Sequence, residues 1–75
     1  MISAVIDTNV LVSAMLQRTG PPGVVVELAL RGVIQPVFNR AILIEYDRVL
    51  RRPKFDIVET EIRLMIDTIE GIGLE

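Results

Sequence analysis

Cysteine and histidine are both absent from the 75-residue chain. Without cysteine there is no disulfide framework and no thiolate metal centre, and without histidine any metal ion has to be held by oxygen ligands. Such a donor set suits a hard cation, Mg²⁺ or Mn²⁺. Aromatic residues are scarce, one Tyr and two Phe, so the core must be built from Val, Ile and Leu. No apolar run is long enough to span a bilayer. The apolar opening residues carry no basic leader and are interrupted by Asp7 before a signal-peptide core could form. A cytoplasmic protein without a membrane partner is therefore expected. Positive charge is not in excess either: 8 Lys and Arg against 10 Asp and Glu give a formal net charge of -2. Any contact with nucleic acid must come from a local basic patch, not from the overall field.

What is present belongs to a folding sequence, with 51% hydrophobic and 24% charged residues. A chain of this size buries only ~60–65% of the surface its unfolded form exposes, so one small domain with a thin core is expected. Ile2-Ser3-Ala4-Val5-Ile6 predicts a strand buried on both faces of a parallel sheet, with Asp7 at its carboxyl end. Asn9 to Leu16 follows as a short helix, and Gln17 to Gly23 as a loop rich in breakers. Pro22 suits the first turn of a helix and Gly32 the residue past its end. Val24 to Arg31 is accordingly predicted helical in spite of three consecutive valines. Val33 to Phe38 reads as a second strand, and Pro36 within it suggests a strand edge or a strand with one side free.

Asn39 is a good N-cap for a helix over Arg40 to Leu50, with Ile42, Tyr46, Val49 and Leu50 on one stripe and Arg51-Arg52-Pro53 closing it. Asp56 and Glu59 have the spacing of a capping box. They would open a helix with Ile62, Met65, Ile66 and Ile69 on its apolar face, ended by Gly71. Ile72 to Glu75 resembles the approach to a further strand. The order strand, helix, helix, strand, helix, helix indicates an α/β layer fold with a parallel sheet. Two strands make a poor sheet, so the pattern implies more strands after residue 75.

Ligands of open α/β sheets gather beyond the carboxyl ends of the strands, which makes Asp7 a candidate site residue. The same residue could equally serve as a helix cap. Glu45 borders the apolar stripe of its helix, where a carboxylate must be paired, hydrogen-bonded or coordinated. It could also reach water or pair with Arg48 or Arg52. If the two carboxylates met, their mutual repulsion would call for a cation, and Mg²⁺ can satisfy them while keeping waters and a place for a phosphate oxygen. Such an ion can polarise a phosphodiester and activate water for hydrolysis. Arg51, Arg52 and Lys54 are the one dense basic cluster. They could hold RNA phosphates or simply complement the end of a helix dipole.

Taken together, Ala4-Val5-Ile6-Asp7-Thr8-Asn9-Val10-Leu11-Val12-Ser13-Ala14 resembles the opening motif of PIN domains, an apolar strand ending in Asp-Thr-Asn. The run from Arg40 to Phe55 resembles the family's second acidic segment, in which a helical glutamate precedes Val-Leu and an Arg-Pro-Lys-Phe turn. That second run is characteristic of the subgroup regarded as toxin components of toxin–antitoxin pairs. The resemblance covers essentially the whole chain. It implies a PIN-like three-layer α/β fold with a parallel sheet, truncated to its N-terminal half in the order β-α-α-β-α-α. It further implies a ribonuclease that uses Mg²⁺ or Mn²⁺, with RNA as substrate, an antitoxin protein as partner and self-association into a homo-oligomer. Asp7 and Glu45 would be the first two metal-binding, catalytic carboxylates; Thr8 and Asn9 would support the site by hydrogen bonding, with Ser13 nearby. PIN domains carry further aspartates in a C-terminal half, near a Thr-x-Asp strand end. Asp56 and Asp67 do not replace them, because one lies at a predicted helix start and the other within a helix.

Two other readings stand beside the ribonuclease. One is a noncatalytic remnant of the same domain that binds a partner protein or pairs with itself through an open sheet edge. The other takes Asp7 as the nucleophile of a haloacid-dehalogenase-like phosphatase, but that fold wants an aspartate where Asn9 stands.

Overall fold

The computed structural model describes residues 2–75. Strand β1 (Ile2–Ala4) leads into helix α1 (Thr8–Leu16), helix α2 (Pro21–Leu30), strand β2 (Ile34–Pro36), helix α3 (Arg40–Leu50), a 3-10 turn at Pro53–Phe55 and helix α4 (Glu59–Ile72). The predicted order of strands and helices is therefore the observed one. β1 and β2 pair in parallel, with Ile2 opposite Ile34 and Ala4 opposite Pro36. The Cα radius of gyration is 11.4 Å, against about 11 Å for a compact chain of this length.

Local chemistry explains where the helices start and stop. Pro21 and Pro22 occupy the first positions of α2, where no N–H is needed. The helix thus begins three residues before the predicted start at Val24. At its other end Gly32 takes φ +81. Its N–H bonds to the Ala29 carbonyl, and the Val33 N–H bonds to that of Leu28. That pair of bonds is a Schellman cap, and it needs a residue without a Cβ penalty in the left-handed region. Asn39 caps α3, its side chain accepting from the Ile42 N–H at 2.8 Å.

The expected start of α4 is wrong. Asp56 closes the 3-10 turn with φ 51, and its N–H bonds to the Pro53 carbonyl. A residue held in that way cannot serve as an N-cap, so the helix begins at Glu59 after Val58, with no side-chain cap. Glu59 and Glu61 in the first turn complement the helix dipole instead. The expected stop at Gly71 is also wrong, for α4 continues to Ile72 and ends at Gly73, whose N–H bonds to the Ile69 carbonyl at 2.8 Å.

A Cβ on Gly73 would stand 2.6 Å from the Ile69 carbonyl oxygen and 2.7 Å from that of Pro36. Only glycine lets the chain pass so close to β2, and the next residue uses the approach. The Leu74 N–H bonds to the Pro36 carbonyl at 2.7 Å, and the Phe38 N–H bonds to the Leu74 carbonyl at 3.0 Å. Val37 and Leu74 thus form a parallel bridge on the side of β2 away from β1. The expected approach of a further strand is real, and the N–H that Pro36 lacks falls on that side.

The core joins Ile6, Leu11, Val12, Val26, Phe38, Tyr46, Val49, Leu50, Ile62 and Ile69. The predicted stripes of α3 and α4 supply Tyr46, Val49, Leu50, Ile62 and Ile69, with Ile42, Met65 and Ile66 packed at the margin. β1 departs from expectation. All three of its residues are exposed, Ile2 at 65%, and so is Val5 of the predicted run at 56%. Burial of a parallel strand requires a neighbour on each side and helices over each face. Among the described residues β1 pairs with β2 alone.

Candidate active site

Where β1 runs out, the chain stays extended through Asp7 and then turns into α1. The Asp7 side chain accepts from the Asn9 N–H at 2.8 Å. Asp7 is therefore a helix cap, as one of the two sequence readings held. The bond engages Oδ1, and capping does not require the second oxygen.

Glu45 lies on α3, exposed to solvent. Its Oε2 accepts a hydrogen bond from Thr8 Oγ1 at 2.5 Å across 37 residues of sequence. The carboxylate pairs with this hydroxyl and not with Arg48 or Arg52. Sequence spacing could not show that the β1–α1 junction and α3 come together; the fold does bring them together.

Tyr46, next to Glu45, is 1% exposed. Its hydroxyl donates to the carbonyl of Ile6, the residue before Asp7, at 2.5 Å. Burial pushes the phenol pKa above its ordinary value, and the negative charges of Asp7 and then Glu45 push it in the same direction. The Thr8–Glu45 and Tyr46–Ile6 bonds together place the two carboxylate-bearing segments at the same corner of the molecule. Sequence reading had counted Tyr46 only as a member of the apolar stripe. Its signal was a lone hydroxyl on a buried helix face, a group that has to find a partner.

The remaining candidates divide. Asn9 reaches Asp7 through its main-chain N–H. Ser13 is exposed one turn further along α1, on the same face as Asn9. Arg51 is committed elsewhere, at 2.9 Å from both Asp47 and Glu59. Hydrogen bonds to Asp47 and then Glu59 hold its pKa above the ordinary arginine range. Arg52 and Lys54 are exposed, and the Lys54 ammonium lies 5.2 Å from the centroid of the Phe55 ring.

The donor set at Asp7 and Glu45 consists of oxygens on solvent-facing side chains, the kind a hard divalent cation prefers. It is a partial set. Among the described residues no group of three or more His, Cys, Asp or Glu is placed to hold a metal ion.

In α/β domains with a parallel sheet, the carboxyl ends of the strands, where Asp7 stands, are the usual place for a ligand. A family model described as PIN domain matches residues 3–71, and the chain belongs to the PIN-domain family. Membership implies a nuclease-type function in general terms. The family generally uses divalent metals, binds RNA and often partners with antitoxins. No curated protein and no solved structure matches the chain. No helix among the described residues is long and apolar enough to cross a membrane.

Proposed function

We propose that the chain forms the N-terminal half of a metal-dependent endoribonuclease, the cytoplasmic toxin of a toxin–antitoxin pair, which hydrolyses RNA phosphodiester bonds with Mg²⁺ or Mn²⁺. The observation that carries this reading is the meeting of the β1–α1 junction with Glu45 through Thr8. Asp7 and Glu45 would hold the cation. Such an ion supplies Lewis-acid polarisation of a phosphoryl oxygen and activation of water. Thr8 orients the Glu45 carboxylate, while the cap bond fixes Asp7 through one oxygen and leaves the other for a ligand. Of the Arg51, Arg52 and Lys54 cluster, Arg52 and Lys54 are left to meet RNA phosphates, Arg51 being neutralised by its two carboxylate partners. The further acidic groups of the cage would come from a C-terminal half that also pairs with the open edge of β1.

The test is cleavage of single-stranded RNA by the domain completed with that half, in Mn²⁺, wild type against Asp7→Asn. Loss of cleavage with the fold intact is expected. Undiminished cleavage by the variant would overturn the assignment.

One observation favours a second reading, a noncatalytic module that binds a protein or itself. β1 presents Ile2, and the chain just after it Val5, to solvent beside an edge unpaired among the described residues, and such an edge is a template for pairing with another chain. Sedimentation of the 75-residue chain decides whether it self-associates, and a strictly monomeric protein counts against a homo-oligomer.

A further inference from the structure

The bond from the Tyr46 hydroxyl to the Ile6 carbonyl joins the two segments that carry the carboxylates. The Ile6 carbonyl and the Asp7 N–H belong to one planar peptide unit, so fixing that oxygen fixes the plane through which the chain enters Asp7. On α3, fixing the tip of Tyr46 fixes the rotation of the helix about its axis. The direction in which the adjacent Glu45 leaves the helix is set with it, because successive side chains keep a constant angular step. The Thr8 to Glu45 bond spans the same gap at the surface, where water competes for both partners. The Tyr46 bond is buried, and its strength there is not diluted by solvent.

We infer that Tyr46 is a positioning residue, whose buried hydrogen bond to the Ile6 carbonyl sets the spacing at which Asp7 and Glu45 bind a divalent cation. This rests on the metal-site reading above, and it adds a residue that touches neither metal nor substrate. Partners bonded directly to metal ligands change metal affinity by about 10- to 100-fold when removed, and Tyr46, which acts one step behind them through the backbone, belongs at the low end of that range. Tyr46→Phe keeps the ring and its packing and deletes only the donor.

The experiment is a Mn²⁺ titration of the full chain, followed by paramagnetic broadening of backbone amide signals in a stabilising osmolyte that keeps every variant folded. Wild type should show broadening centred on Asp7, Thr8, Asn9 and Glu45. Tyr46→Phe should bind about tenfold more weakly, and Asp7→Asn should lose the site. Val49→Ala loses core packing on the same helix without touching the Tyr46 bond, and should bind as wild type does. Wild-type affinity in Tyr46→Phe together with loss in Asp7→Asn would overturn the positioning role and leave the metal site standing. Equal weakening in Val49→Ala would also overturn it, by showing that stability alone moves the affinity. Binding that survives Asp7→Asn, or that is absent from wild type, would overturn the premise that these two carboxylates by themselves hold the cation, and the positioning role with it.

Discussion

Asp7 has two duties that a pair of substitutions can separate. As a helix cap it accepts one hydrogen bond from the Asn9 N–H; as a metal ligand it must carry a full negative charge. Asparagine caps about as well as aspartate, so Asp7→Asn keeps the bond and gives up only the charge–dipole term, about 0.3–1 kcal/mol at an exposed helix start. Asp7→Ala deletes the cap itself, which costs typically about 1 kcal/mol and up to about 2. For a domain of this size 1 kcal/mol moves Tm by roughly 4–8 °C. Thermal denaturation should therefore rank wild type and Asp7→Asn close together, with Asp7→Ala clearly lower. Mn²⁺ titration should instead group the two variants together as non-binders. If cation binding followed the stability ranking, with Asp7→Asn binding like wild type, Asp7 would be a cap and nothing more.

Three further outcomes follow from the same structure. Leu50 is fully buried, so Leu50→Ala should cost about 2–5 kcal/mol. Against a total stability at the low end of about 5–15 kcal/mol, that should lower Tm by at least about 8 °C, followed by circular dichroism. Gly73→Ala forces a Cβ against the carbonyls of Ile69 and Pro36. It should cost about 1–3 kcal/mol by overpacking, with loss of amide-exchange protection at Leu74; a neutral substitution would mean that the Leu74 bridge is dispensable. Tyr46 has a pKa raised above 10.0 by burial, then by Asp7 and Glu45. Its contribution to stability is fully present below pH 10.0 and is lost as pH rises through the raised pKa. Absorbance of the single tyrosine should therefore report phenolate only at higher pH, together with loss of fold. A phenolate that formed at the ordinary pKa with the fold intact would contradict the burial.

Much of the fold was legible in the sequence because its signals are local. Asn39 before Arg40, paired prolines before three valines and Gly32 after Arg31 act within a turn of the chain, and the apolar periods of α3 and α4 name the faces that are buried. The misreadings have separate causes. Asp56 and Glu59 have capping-box spacing, but the 3-10 turn at Pro53–Phe55 takes Asp56 first. Gly71 looks like a stop, yet α4 runs on to the glycine that contacts β2. Ile2 to Ile6 has the apolar content of a central strand, and the exposure of β1 depends on neighbours that its own residues cannot specify.

For the site, the sequence by itself determined the chemistry available: oxygen donors only, with Asp7 at a strand end and Glu45 on a helix. Only the tertiary structure decided that these segments meet, that Thr8 bridges them and that Arg51 is spent on Asp47 and Glu59. It also gave the one buried hydroxyl, Tyr46, a partner beside Asp7. Residue type fixes which ions a side chain can bind, and spacing within a helix or strand fixes its face. The distance between groups 37 residues apart is set by how helices pack on the sheet, and that depends on the whole core at once.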